Sequence, residues 1–191
     1  MTVDLAYPLD DAVEIDGKTY KLDLSFDNVL RLIDMLNDDE LNDITQINLG
    51  LEMLLGEKLD YDIAKKEQIF HDIFKATIGK GAEKNQPVDI EGNPMPQQKQ
   101  ERIFSLKQDA PYIFAAFYQN YGIDLFEMHG KLHWEKFNAL FTALFPSSNF
   151  KEIVEIRASE LPTGKGMPKV RERVKKLKEY NALDFDDLIL K

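Results

Sequence analysis

Asp109 to Phe145 reads DAPYIFAAFYQNYGIDLFEMHGKLHWEKFNALFTALF, and these 37 residues hold the only tryptophan and nine of the nineteen phenylalanines and tyrosines. The nine are Tyr112, Phe114, Phe117, Tyr118, Tyr121, Phe126, Phe137, Phe141 and Phe145. One helix cannot hide so many rings, so neighbouring elements must pack on them. The stretch reads as a folding nucleus made of two helices. Asp109 is placed to cap the first, Pro111 is tolerated in its opening turn, and Gly122 supplies the left-handed residue that closes many helices. Asp124 can cap a short turn, and Gly130 breaks the chain. In Leu132 to Phe145 the residues Leu132, Trp134, Phe137, Leu140, Phe141 and Leu144 recur at helical spacing until Pro146 stops the run. The expectation is a helical hairpin.

Downstream, Asn149 and Glu152 have the spacing of a helix-start box, and Phe150, Ile153, Val154 and Ile156 carry an apolar face to about Ser159. Pro162 to Pro168 is a turn-rich break. A last helix from Lys169 to Tyr180 sets Val170, Val174 and Leu177 on one stripe among charges, and Asp184 to Lys191 is expected to be loose or to fold against a partner. Upstream, Val13 to Leu22 alternates around Asp16-Gly17, the dipeptide of a two-residue β-turn, and predicts a two-stranded hairpin leaning on helices. Ser25 is placed to cap a helix striped by Phe26, Val29, Leu30, Ile33 and Leu36. A second helix spans Asp43 to Leu55, with Gly50 a weak spot, and a third spans about Asp60 to Ile78. Residues 79–100, rich in glycine and proline, read as a flexible connector inside one domain of residues 1–191. Residues 102–106 are compatible with a short extra strand. The expected fold is mostly α: an N-terminal β-hairpin over 13–22 and a bundle of six to seven helices.

At 191 residues without cysteine, the chain can build a real core but no disulfide, thiol nucleophile or thiolate metal site. No apolar run reaches the roughly 18 residues of a membrane span, and the acidic start does not resemble a signal peptide. These features fit the cytoplasm and no membrane partner. The net charge of −10 is uneven: residues 1–62 hold 16 Asp/Glu against 4 Lys/Arg, and the remainder is close to neutral. Such a front half repels phosphate backbones, so nucleic acid is not an expected partner. It keeps the protein dispersed or docks a basic partner. Between 165 and 179 seven cations face only Glu172 and Glu179, which reads as a solvated helix face or as a surface for an acidic protein.

The sequence shows no catalytic constellation. His129 and His133 are four apart, but Gly130 lies between them and no HExxH-like pattern surrounds them, while His71 reads as a surface residue. Gly164-Lys165-Gly166 lacks the spacing and following Ser/Thr of a phosphate loop, and Gly79-Lys80-Gly81 is weaker still. Asp38-Asp39-Glu40 and Asp60-Tyr61-Asp62 lack the glycine and final glutamate of a calcium loop and read as helix boundaries. Neither an enzyme nor a cofactor is expected.

Tyr121-Gly122-Ile123-Asp124-Leu125 and the run Lys131 to Leu140 resemble the gene-product-fifteen family of tailed phages infecting Gram-positive bacteria. The likeness continues at Ile156-Arg157-Ala158-Ser159, at Leu177 to Leu183 and at Val13 to Gly17, covering most of the chain outside the connector. It departs at Glu135, where members often carry a second tryptophan, which puts that position at the edge of the packed surface. The resemblance implies a tail assembly chaperone, encoded upstream of the tape measure gene, that binds the tape measure protein and recruits tail-tube subunits. Such a protein works in the host cytoplasm and is absent from the mature particle. Candidate partner contacts are Trp134 and Phe137 in the aromatic region and Lys169, Arg173 and Lys176 on the last helix. The rival reading is a structural tail or head-tail connector component. Monomer and homo-oligomer are both open.

Overall fold

The structure is a computed structural model that describes residues 5–9, 11–79, 103–164 and 167–183. Two strands and seven helices follow one another: β1 (Ala12–Ile15), β2 (Lys18–Lys21), α1 (Phe26–Leu36), α2 (Asp43–Leu55), α3 (Ile63–Thr77), α4 (Ala110–Tyr121), α5 (Trp134–Thr142), α6 (Asn149–Ala158) and α7 (Pro168–Tyr180). The chain divides into two compact units, Met1–Lys99 with His129–Asn138, and Gln100–Met128 with Ala139–Lys191. The connector at 79–100 lies, apart from Gly79, outside the described residues, as do the tail from Asp184 and the glycine-flanked Lys165 and Lys80.

In the first unit β1 and β2 pair antiparallel, Ile15 opposite Lys18. Asp16 (φ 49°) and Gly17 (φ 80°) both take positive φ, the geometry that lets a two-residue turn follow the strand twist. The apolar face puts Ile15, Tyr20, Leu22 and Leu24 into a cluster with Leu32, Leu51, Leu54, Leu55, Leu59 and Ile73, so the ribbon gains from α1, α2 and α3 the burial it lacks alone. At the rim, Lys18 meets Glu57 at 2.7 Å and Lys65 pairs with Asp16. Hydrogen bonds from Lys65 and then Tyr61 hold the Asp16 carboxyl below its ordinary value of 3.8. The bond to Asp16 raises Lys65 above its ordinary 10.5.

Local signals explain most helix ends. Asn42 accepts from the Thr45 amide and Asp62 from the Lys65 amide, both at 2.9 Å, while Gly56 closes α2 at φ 73°. Asp62 thus starts α3 two residues later than the expected Asp60. Gly50 is not merely a weak point in α2: a Cβ there would lie 2.6 Å from Phe70 Cε2 and 3.3 Å from Leu32 Cδ1, so its missing side chain lets α1, α2 and α3 approach. Asn28, buried, donates to the carbonyls of Asp23 (3.0 Å) and Met53 (2.8 Å), tying α1 to α2 without an orphaned polar group.

Three expectations need correction. The helix expected from Leu132 begins at Trp134, because His133 bridges Ser25 antiparallel: the Phe26 amide donates to Leu132 O (2.9 Å) and the Trp134 amide to Leu24 O (2.7 Å). The unit division falls inside α5, after Asn138, so the aromatic stretch expected to fold as one helical hairpin is divided between the two units. Residues 103–106 are not a strand. The Ser105 amide donates to Asp109 Oδ2 (3.0 Å) and its carbonyl accepts from the Asp109 amide (2.9 Å), so a closed turn takes up the groups a strand would offer.

In the second unit α6 packs on α4 and on α7. Asp109 occupies the N-cap position of α4 but does not cap it. Its carboxylate receives Arg157 instead, Nη1 to Oδ2 at 2.6 Å and Nη2 to Oδ1 at 2.8 Å. The same guanidinium donates to Ile103 O (3.2 Å) and to Asn181 O. One buried fork therefore holds the segment before α4, the end of α6 and the end of α7 together. Phe104, Phe141 and Phe150 form a ring cluster with centroids 5.2–6.1 Å apart, and the Tyr121 hydroxyl donates to Leu140 O at 2.9 Å.

Candidate functional site

The first place to look for chemistry is a cleft of about 460 Å³ in the first unit, where Asp11, Asp23, Ser25 and His133 converge with Lys21 and Lys131. Several of these polar atoms contact one another. Ser25 Oγ donates to Asp23 Oδ1 at 2.6 Å. His133 Nδ1 accepts from the Glu135 amide at 3.0 Å, and Nε2 lies 2.9 Å from Asp11 Oδ1. The Nδ1 lone pair is thus engaged by a backbone amide, which fixes the orientation of the ring. The group joins the approach to β1 to the chain entering α5. Among the described residues no three His, Asp or Glu side chains gather in a metal-holding arrangement, and no helix is long and apolar enough to cross a membrane.

The sequence-expected contact residues separate into two groups. Trp134 and Phe137 are buried, at 7% and 1% exposure, and stack in series: Trp134 on Phe137 with centroids 5.6 Å apart, Phe137 on Phe26 at 5.1 Å. They lie in the first unit's interior, packed against Phe26 of α1. Glu135 beside them is half-buried, in keeping with an edge position. Lys169, Arg173 and Lys176 are exposed and come together with Glu172, Leu177 and Tyr180 along a shallow groove of about 530 Å³ on α7. The three cations recur at i, i+4 and i+7, which places them on one helix face.

The aromatic residues that do face solvent are others from the same stretch. In the second unit Phe114, half-buried on α4, lies 5.2 Å from Phe126 and 6.3 Å from Tyr118 by ring centroids. Phe126 is 70% and Tyr118 57% exposed. The local fold sets this ledge: α4 buries Ile113, Ala116 and Phe117, which turns Phe114 and Tyr118 outward, and Gly122 in the left-handed conformation ends the helix. The Asp124 carboxylate then accepts from the Phe126 amide at 2.9 Å, closing the turn that carries Phe126. Sequence reading found these rings but assigned the surface role to Trp134 and Phe137. Helical phase is the signal that separates them, since Phe114 and Tyr118 sit one turn apart and off the face of Ile113 and Phe117.

Residues 6–183 match the family described as Bacteriophage Gp15 protein. No curated protein and no solved structure matches the chain. A match over nearly the whole sequence identifies the chain as a member of the bacteriophage Gp15 family, a family of phage structural or morphogenesis proteins.

Proposed function

We propose that this chain is a tail assembly chaperone of a long-tailed phage of Gram-positive bacteria, holding the tape measure protein until tail-tube subunits replace it. The observation that carries the reading is the ledge of Phe114, Tyr118 and Phe126, where the Phe114 ring lies against each of the other two on the surface of a protein with net charge −10. Large rings cost little side-chain entropy when they are covered, and aromatic residues are enriched where proteins meet. A tape measure protein is a very long helical chain whose apolar stripes aggregate unless covered. A rigid aromatic step on a folded helix is suited to the apolar side of such a helix, and the acidic surface keeps the loaded complex dispersed. The work is binding and release, without a cofactor or covalent step. It takes place in the host cytoplasm, and the protein leaves before the particle is complete.

Co-expression with the cognate tape measure protein tests this reading. The wild-type chain should raise the soluble yield of tape measure, and Tyr118→Ala with Phe126→Ala should remove most of that gain while leaving the chain itself soluble. Peptide mass spectrometry of purified particles should find no stoichiometric set of copies. A fixed ring of copies per tail would replace this reading by that of a structural tail or connector subunit.

A further inference from the structure

Helix α7 is amphipathic, yet none of its residues is buried. Its inward side is the narrow strip of Val174 and Lys178, both half-buried, with Lys178 Nζ donating to Ser159 O at 2.6 Å. The rest of the apolar stripe is left in water: Val170 is 49%, Leu177 39% and Tyr180 87% exposed. Lys169, Arg173 and Lys176 flank it. Among the described residues lining this groove Glu172 is the acid, paired with Lys176 at 3.1 Å between two exposed side chains that can re-pair at little cost. A face of this kind fits an occupant with anions around an apolar spot.

The same chain carries one. From residue 32 to residue 57 there is no lysine or arginine and there are seven Asp/Glu. The structure brings Asp34, Asp38, Asp39, Glu40 and Asp43 to the exposed turn between α1 and α2, beside Ile44 at 57% exposure. We propose that the acidic α1–α2 turn of one copy docks on the basic, apolar face of α7 of a second copy, so that the protein self-associates. A nucleic acid is the poorer occupant, because a phosphate backbone would have to approach a molecule of net charge −10. The two surfaces differ, so the contact is either doubled across a two-fold axis or repeated from copy to copy into a ring or a chain. The aromatic ledge takes no part, so failure of this contact leaves the tape measure reading standing.

Salt dependence alone is a poor test, since salt weakens both the local attraction and the repulsion between copies of like net charge. A charge swap separates them. Light scattering on the full chain at up to about 100 μM should give a mass above one chain, a concentration range at which contacts of ordinary affinity are populated. Lys169→Glu with Arg173→Glu and Lys176→Glu should weaken association more than about tenfold, and so should Asp34→Lys with Asp39→Lys and Glu40→Lys on the other surface. An equimolar mixture of the two variants should recover a complex. All six side chains lie outside the core, and far-UV circular dichroism confirms the helices. If one triple variant loses helicity, Arg173→Glu alone gives the same reading with a smaller fold-change. A one-chain mass for the wild type at every concentration overturns the proposal, as does association unaffected by either reversal or a mixture that stays apart.

Discussion

Arg157→Met should be among the most damaging single substitutions in the second unit, because one side chain there satisfies three separate segments. The guanidinium donates to both oxygens of Asp109, to Ile103 O and to Asn181 O, with Arg157 at 9% and Asp109 at 1% side-chain exposure. Removing the arginine leaves the carboxylate with the Ser105 amide at 3.0 Å as its remaining donor shown by the structure, deep in a site that water does not reach. Breaking a buried pair from one side typically costs about 3–5 kcal/mol. Against a domain stability of about 5–15 kcal/mol that is a large fraction. Asp109→Asn should cost less, since an amide keeps the shape and one acceptor without a stranded charge. The double variant should cost less than the two singles together, with a coupling of about 1–3 kcal/mol. Urea unfolding followed by far-UV circular dichroism gives the free energies, and hydrogen exchange at the Ser105, Tyr112 and Ile113 amides locates the loosening. An Arg157→Met change under about 1 kcal/mol, or strictly additive singles, would refute the reasoning that this fork fastens the unit.

Three other perturbations probe separate parts of the molecule. Trp134→Ala should cost about 3–5 kcal/mol by emptying the stack on Phe137 and Phe26, seen as a fall in urea midpoint; an unchanged midpoint would put Trp134 at a surface. Gly50→Leu should destabilise by about 1–3 kcal/mol although leucine is the better helix former, because even a Cβ meets Phe70 and Leu32; a stabilised variant in the same unfolding assay would mean that helix propensity outweighs packing. The Asp16 pKa is depressed, so its contribution is present above about pH 4 and lost as pH falls through the folded value, while Lys18 and Lys65 are raised and lose theirs only as pH climbs past about 10.5. Carboxyl titration by NMR should find Asp16 below an ordinary aspartate, returning upward in Lys65→Met, and no difference between the two proteins would refute the pairing.

The sequence pattern carried the hairpin and all seven helices because those elements rest on local rules: Asp16-Gly17 for the turn, Gly56 and Gly122 for helix ends, apolar spacing for the helix bodies. What it missed is long-range pairing. Leu132 and His133 directly precede the apolar residues of α5, but backbone bonds of Leu132 and Trp134 to Phe26 and Leu24, more than a hundred residues earlier, keep them out of the helix. Ser105 looked like strand and Asp109 like a cap until Arg157, 48 positions later, took the carboxylate. The segments resembling the family are informative in this respect. Gly122, Trp134, Arg157 and Asn181 all fall in them, and in the structure they end a helix, fill a core and tie three chain segments together. In this chain these positions carry packing and helix ends. The candidate contact surface was half legible: Lys169, Arg173 and Lys176 stand together on one face, while composition alone did not separate the buried rings of Trp134 and Phe137 from the exposed ones of Tyr118 and Phe126.

On the proposed function, this chain binds another polypeptide through its exposed rings. Titration of the purified chain with soluble helical fragments of the cognate tape measure protein, followed by calorimetry, tests it most directly. We expect saturable binding with a negative heat-capacity change from apolar burial, weakened at least about tenfold by Tyr118→Ala with Phe126→Ala and unaltered by reversing the charges on α7. Absence of binding by fragments covering the whole tape measure protein, or binding indifferent to the loss of both rings, would contradict it.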